Sequence, residues 1–414
     1  MSWDTNPDKA GILNYKAKLK VITPFFIGGG DGNKVSRFEY IFDQASSNIY
    51  ILDLDKWTSF LNENKILDIY LQFISQEASK TKGGIDNMGF ITIHQKCFKK
   101  PFIIGDVLQK VSKRIIKLSK DINDFNTNDL ACFIRNAEGK PYIPGSSIKG
   151  ALRSAFLSYA YSCNSSIAQK DEKEIIGLLR DKDKRAIKNN QFEKKFFGYK
   201  PNEDIFSFVR VSDSIPFDEK RLFVSKKYDH VYMQSSSKQI DKINSLPIFR
   251  EYVLPGTEIE FEISIDLFKL KDIKNNNIPI PRNIEDIFEA LKHKWDDLYG
   301  EQGIMNKFPN IQQYIPSEAI NESKGLIMIG GGAGFHSKSV ISSISKDERA
   351  IEITKQILDM VFPPNKKRKP HDIDRPISPR AIKLVKSGQN GKYAIPGICR
   401  IETFDIKGGF NEKN

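Results

Sequence analysis

Between Pro141 and Phe156 the chain reads PYIPGSSIKGALRSAF, a set of side chains suited to holding an anion. Pro144 and Gly145 form a tight turn, after which Ser146 or Ser147 caps a helix. Ile148, Leu152, Ala155, Phe156 and Tyr159 fall on one helical face, and Lys149 and Arg153 make an i, i+4 cationic stripe beside it. Free amides, two hydroxyls and two cations then converge at one helix end, where the dipole favours a phosphate. Two glycine clusters suit the same guest: Gly28, Gly29 and Gly30 in VITPFFIGGGDG, and Gly331, Gly332 and Gly334 in LIMIGGGAGFHSKSV. Without Cβ atoms, such loops let the main chain approach a sugar-phosphate backbone, and His336, Ser337 and Lys338 supply contacts to phosphate or base.

Nucleotide hydrolysis and RNA cleavage are the competing chemistries. GAGFHSKS (332–339) has Ser337 where a phosphate-binding P-loop needs its second glycine, and GSSIKG (145–150) is followed by Ala151 and Leu152. A dinucleotide fingerprint fails at its third glycine in both places. Metal-free RNA cleavage needs a base and an acid, and the five histidines, His94, His230, His293, His336 and His371, include no pair close in sequence. Only His336 sits in a motif; His293 and His371 read as surface residues. Four cysteines, Cys97, Cys132, Cys163 and Cys399, are scattered without CxxC spacing, so neither a disulfide framework nor a zinc site is implied, and no metal or cofactor is expected.

The elements that must carry these residues follow from periodicity. Residues 14–27 and 38–52 read as strands, the latter pair turning at Ala45 to Asn48. From Lys56 to about Lys120 the pattern is helical with a break at Gly83-Gly84, an insertion rich in cations (Lys99, Lys100, Lys110, Lys113, Arg114, Lys117, Lys120) that either reaches an RNA backbone or solvates a helix face. Residues 168–200 mix Asp171, Lys173, Asp181, Lys182, Asp183, Lys184 and Arg185, which predicts a solvated helix pair or a mobile loop. Phe208 to Ser214 reads as a core strand. Thr257 to Ile265 alternates Ile259, Phe261, Ile263 and Ile265 with Glu258, Glu260 and Glu262, an acidic face that repels RNA and meets solvent or a basic protein neighbour. Ile284 to Tyr299 is an amphipathic helix buried through Ile287, Phe288, Leu291, Trp295 and Leu298. This succession of strand, helix, strand, strand, helix, strand predicts an α+β, ferredoxin-like or RRM-like unit. Beyond Ser345 come a further helix, the basic loop PPNKKRKP and a hairpin turning near Gly388 to Gly391.

Five pieces in order, VITPFFIGGGDG, FIRNAEGKPYIPGSSIKGALRSAF, FVRVSDS, FREYVLPGTEIEFEIS and LIMIGGGAGFHSKSV, resemble the RAMP superfamily, the RNA-binding subunits of CRISPR effector complexes. The length and two large insertions look most like the fifth Csm subunit of type III-A complexes, which caps the end of the filament carrying the 3′ part of the CRISPR RNA. The resemblance implies a binding and assembly role linked to guide maturation, with CRISPR RNA, target single-stranded RNA and other Csm subunits as partners. It implies a core over 1–345 with insertions at about 56–128 and 165–203, and a C-terminal extension over 346–414. The implied RNA-binding set is Gly28, Gly29, Gly30, Ser146, Ser147, Lys149, Arg153, Arg210, Arg250, Gly331, Gly332, Gly334, His336, Ser337 and Lys338, with no catalytic residue. The rival is an RNA-processing endoribonuclease using His336 or a metal near Asp31, the nearest positional candidate for the acidic loop residue of the repeated backbone subunit of these complexes, although its surroundings do not match that subunit's cleavage loop.

Composition is compatible with a polyanionic partner: Lys plus Arg number 64 against 52 Asp plus Glu, a net +12. The N-terminal MSWDTNPDKAG lacks the design of a signal peptide and no apolar run is long enough to span a bilayer, so no membrane partner and a cytoplasmic location are expected.

Overall fold

The computed structural model describes residues 11–30, 33–43, 46–79, 104–119, 129–183, 191–198, 204–234, 239–270, 279–366, 369–386 and 391–404. Asp31, Gly83-Gly84, His94, Cys97, Lys99, Lys100, Lys120, Lys184, Arg185 and the Gly388 side of the C-terminal turn lie outside the described residues.

Along the chain the strands are β1 (Ile12–Val21), β2 (Lys34–Val35), β3 (Tyr40–Asp43), β4 (Asn48–Leu52), β5 (Ser112–Leu118), β6 (Leu130–Ala131), β7 (Val209–Val211), β8 (Leu222–Gln234), β9 (Gln239–Val253), β10 (Glu258–Asp266), β11 (Leu326–Met328), β12 (Ala381–Lys386), β13 (Tyr393–Ala394) and β14 (Ile398–Phe404). The helices are α1 (Leu54–Glu63), α2 (Leu67–Ser79), α3 (Ile104–Val111), α4 (Gly145–Cys163), α5 (Ser165–Arg180), α6 (Gln191–Phe197), α7 (Leu267–Leu270), α8 (Ile284–Tyr299), α9 (Ser317–Asn321), α10 (Phe335–Lys338), α11 (Ile341–Ile344) and α12 (Asp347–Val361).

Five antiparallel strands form the core sheet in the order β11-β14-β1-β10-β7. With α4 and α8 as the two helices, this is the ferredoxin-like strand order with β14 inserted between the first and last strands. The predicted α+β class is therefore the observed one. β14, from the segment after 346, joins this sheet by pairing Cys399 with Val21 and Ile401 with Leu19. Alternation sends Ala17, Leu19 and Val21 of β1 and Ile259, Phe261, Ile263 and Ile265 of β10 into the core under α4 and α8. Helix α8 is entered through a capping box between Asn283 and Asp286, and its buried stripe includes Ile287, Phe288, Leu291, Trp295 and Leu298, as the spacing predicts.

The outward face of this sheet is a charge ladder. Lys16, Lys18 and Lys20 stand opposite Glu262, Glu260 and Glu258 in register, and Lys18 Nζ reaches Glu258 at 3.1 Å. The acidic face of β10 thus finds its basic neighbour within the same chain.

A second sheet runs β2-β6-β9-β8-β5-β4-β3, with β12 pairing the outer part of β8. It packs α1 and α3 on one side through Trp57, Leu61, Leu108 and Val111, and gathers Ile49, Ile51, Ile116, Leu118, Val224 and Phe249 on the other. Ser112–Leu118 is strand where the sequence predicts helix: Arg114, Ile116 and Leu118 alternate with exposed Lys113, Ile115 and Lys117. The charged stretch after 165 forms α5 and α6, yet Asp171 is buried, accepting from Tyr161 Oη at 2.9 Å and pairing with Lys195 at 2.8 Å.

Candidate nucleic-acid interface

The two glycine loops meet at Phe26. After β1, Phe25 forms an isolated bridge with Val253 and Gly28 one with Phe133, which leaves Gly28, Gly29 and Gly30 exposed. After β11, the Gly331 N–H donates to the Phe26 carbonyl at 2.7 Å. Gly330 has φ +84°, and a Cβ there would stand 2.5 Å from that same oxygen, so the close approach of the loops requires glycine. Arg250 joins them: its guanidinium lies 4.9 Å from the centre of the Phe26 ring, and Nη1 donates to the Gly331 carbonyl at 3.4 Å. Asn33 Nδ2 donates to the Cys132 and Phe133 carbonyls at 3.0 Å each, tying the first loop to the segment that leads into α4.

Helix α4 starts against β7. Its N-cap is Pro144, with no side-chain cap, so neither Ser146 nor Ser147 caps it. The chain after β7 caps instead: Asp213 Oδ1 accepts the Gly145 N–H at 2.8 Å, and Ser214 Oγ accepts the Ile143 N–H at 2.8 Å. A Cβ on Gly145 would stand 2.3 Å from the Val211 carbonyl, which is why glycine opens the helix. The Gly145 amide is taken by a carboxylate and the Ser147 amide by the Pro144 carbonyl, so the helix start offers fewer free amides than the sequence suggests. What it presents is the exposed Ser146, the half-buried Ser147 and Lys149, whose ammonium sits 5.8 Å from the Phe206 ring. Burial holds the Lys149 pKa below the ordinary lysine range, with Asp204 opposing. Farther along, Gly150, Arg153 and Ser154 share a cavity of about 610 Å³ with Gly334, Phe335 and Lys338. The helix and the second glycine loop therefore face one cleft.

A family model described as RAMP superfamily matches residues 18–335, a span that includes both glycine loops and α4. The chain belongs to the RAMP superfamily. Among RAMP-related proteins, it is 30% identical over 258 residues to the CRISPR system Cms protein Csm5 of Streptococcus thermophilus, a match covering 62% of this chain and 65% of that one. It is 24% identical over 409 residues to the protein of the same name from Enterococcus italicus, covering 94% and 97%. Two solved structures share its fold: a chain of a type III-A Csm–crRNA–target RNA ternary complex (TM-score 0.62, 19% identity, 94% of this chain and 100% of that one) and Csm5 of T. onnurineus (TM-score 0.59, 18% identity, 92% and 99%).

Several residues of the expected RAMP site are committed elsewhere. Arg153 forks onto both Asp204 oxygens at 2.8 and 2.9 Å, pairs with Glu193 and lies 4.0 Å from the Phe197 ring, so two carboxylates already consume its charge. Arg210 pairs with Asp266 at 3.1 Å while its side chain stays half exposed. His336 is buried, not a surface contact: Nε2 bonds the Ser378 carbonyl at 2.8 Å, and burial pushes its pKa down to about 4. Ser378 Oγ in turn donates to buried Asp374, which also holds His371 Nδ1 at 2.8 Å and Arg380 Nε at 2.9 Å, so the loop after α12 braces the second glycine loop. His371 is thus paired, and His293 packs against the Tyr159 ring with its pKa lowered by burial; neither is a plain surface residue. Ser337 Oγ closes the turn onto the Gly334 carbonyl at 3.0 Å, and Lys338 is exposed. Among the described residues no group of three or more His, Cys, Asp and Glu is arranged to hold a metal.

Sequence reading missed one cluster. Arg114 and Arg135 converge on fully buried Glu251 at 3.0 and 2.8 Å, although Arg135 lies in FIRNAEGK and Glu251 in FREYV, both within the motifs quoted above. Reading β5 as helix hid the alternation that turns Arg114 inward.

Proposed function

We propose that this chain is a guide-RNA-binding structural subunit of a type III-A CRISPR effector complex, capping the filament at the 3′ part of the guide and supporting guide maturation. The meeting of the two glycine loops at Phe26, with α4 sharing a cavity with the second of them and its serines spared from capping, carries this reading. The relatives named Csm5 and the fold shared with a chain of a Csm–crRNA–target RNA complex support it. On this reading its partners are CRISPR RNA, target single-stranded RNA and other Csm subunits.

Gly28, Gly29, Gly30, Gly331, Gly332 and Gly334 let RNA pass close to the main chain, while Ser146, Ser147, Lys149, Ser337 and Lys338 hold phosphates. Arg153, Arg250 and His336 position the loops and helix that do so. Held by its backbone, the guide keeps its bases free to pair with a target, and pairing reads the sequence. The role is binding and assembly; His336, buried and with its pKa driven down to about 4, is a poor general base. The core runs from β1 to β11 with β14 added, and the segments 56–128 and 165–203 are insertions on it.

The test is binding of the purified full chain to a labelled single-stranded RNA over a salt series. Affinity falls steeply as salt rises, and Ser146→Ala combined with Lys149→Glu lowers it roughly tenfold. Salt-insensitive binding, or the same affinity in that variant, would defeat the reading. Cleavage of repeat-derived RNA that disappears in Asp31→Ala or His336→Ala would establish the nuclease instead.

A further inference from the structure

Beside the first glycine loop, the wall made by Asn33, Lys34 and Val35 closes a cavity of about 400 Å³ against Lys113, Arg114 and Arg135. Its base is rigid. Glu251, with no exposed surface, takes Arg114 Nη2 on one carboxylate oxygen at 3.0 Å, and Arg135 Nη1 on the other at 2.8 Å. The second oxygen also accepts the Phe133 N–H at 2.7 Å. One carboxylate thus orders two arginine side chains that are 12% and 13% exposed. Glu219 reaches Arg135 Nε only at 3.4 Å, and Arg114 Nε and Arg135 Nη2 have no hydrogen-bond partner among the described residues. Lys34 and Lys113 stand exposed at the rim, with Glu138 as the other carboxylate there. Among the described residues at the cavity are four cations and three carboxylates, one of the latter wholly spent in the floor. Two planar donor groups held in place before any ligand arrives are suited to a tetrahedral oxyanion.

We propose that this cavity binds a backbone phosphate of the RNA that leaves the first glycine loop, a second anchoring point separate from the helix start. The proposal rests on the RNA-binding reading above. RNA is favoured over a free anion by position: Asn33 follows Gly30 by three residues, within roughly 10 Å of chain, so a strand lying on the glycines runs on toward the cavity. Asn33 itself pins that path to the Cys132 and Phe133 carbonyls.

The experiment titrates the full chain with a fluorescein-labelled single-stranded RNA over a salt series, and separately with inorganic phosphate. Lys34→Ala combined with Lys113→Ala removes only exposed side chains; Arg114→Lys keeps the charge beside Glu251 but removes the planar fork. Each variant is expected to lose roughly tenfold in RNA affinity, and the salt slope of the double variant falls by about 0.7 for each phosphate no longer neutralised. Both variants matching wild type, while Lys149→Glu still weakens binding, would overturn this site and leave the RNA reading standing. Wild type that binds no RNA in a salt-dependent way would overturn both. Inorganic phosphate that binds wild type and not the variants, with RNA affinity unmoved, would make this a small-anion site and overturn the assignment to RNA.

Discussion

The open face of the core sheet and the cleft at the glycine loops carry similar cations in opposite circumstances. On the sheet, Lys16, Lys18 and Lys20 stand in register with Glu262, Glu260 and Glu258, Lys18 pairs with Glu258 and Lys20 with Glu318, so the face carries its own counter-charges. Lys338 in the cleft and Lys149 at the helix start have no such ladder among the described residues, and the backbone at Gly28–Gly30 is exposed. An RRM-like sheet suggests binding on its open face; here the order of strands sets opposite charges against each other on that face, and the proposed RNA contact falls to loops at its end. Arg153 repeats the lesson within one helix: a turn from Lys149, it is spent on Asp204 and Glu193. Where charge is paired matters more than how much there is.

Three changes would break or sharpen that contrast. The largest effect concerns His336 under the second glycine loop. Its folded pKa of about 4 lies below the ordinary 6.5, so between those values the unfolded chain binds a proton that the folded chain does not. Stability present above pH 6.5 is therefore lost as pH falls toward 4, by roughly 3 kcal/mol. Urea unfolding at pH 7.5 and pH 4 should show this loss in wild type and a smaller one in His336→Gln; equal losses would remove His336 from the account.

Next, Gly330→Ala forces a left-handed φ on alanine and drives its Cβ toward the Phe26 carbonyl. The expected cost is about 2–3 kcal/mol in urea unfolding, with weaker RNA binding as the loops part. Undiminished stability would mean that the loops do not depend on their contact. The smallest effect belongs to the ladder: Lys18→Gln should leave RNA affinity and its salt slope at wild-type values in the same titration, because an exposed paired lysine offers RNA little. A loss equal to that of Lys149→Glu would erase the distinction between the two regions.

Much of the fold was legible because it rests on local periodicity. The period of two in β10 and the stripe of α8 announce their buried faces, and Gly145 marks the tight start of α4. The long β8–β9 hairpin was less legible: the outer half of β9 is largely exposed, so hydrophobic alternation there is weak. In the site, glycines and serines were found by type, but Arg153, Arg210 and His336 could not be judged from type alone. A cation reads the same in sequence whether it faces water or two carboxylates from 40 and 51 residues away, as Arg153 does.

What the sequence by itself determined is the set of strands and helices with buried faces, and the positions where glycine is required, since both follow from side-chain volume and backbone freedom over a few residues. Only the tertiary structure decided which charges remain available. It set Lys16, Lys18 and Lys20 against β10, gave Arg153 to Asp204 and Glu193, buried His336 under the loop after α12, and turned Arg114 and Arg135 onto Glu251. Electrostatic pairing and desolvation depend on neighbours brought from distant parts of the chain, and strand order chooses those neighbours.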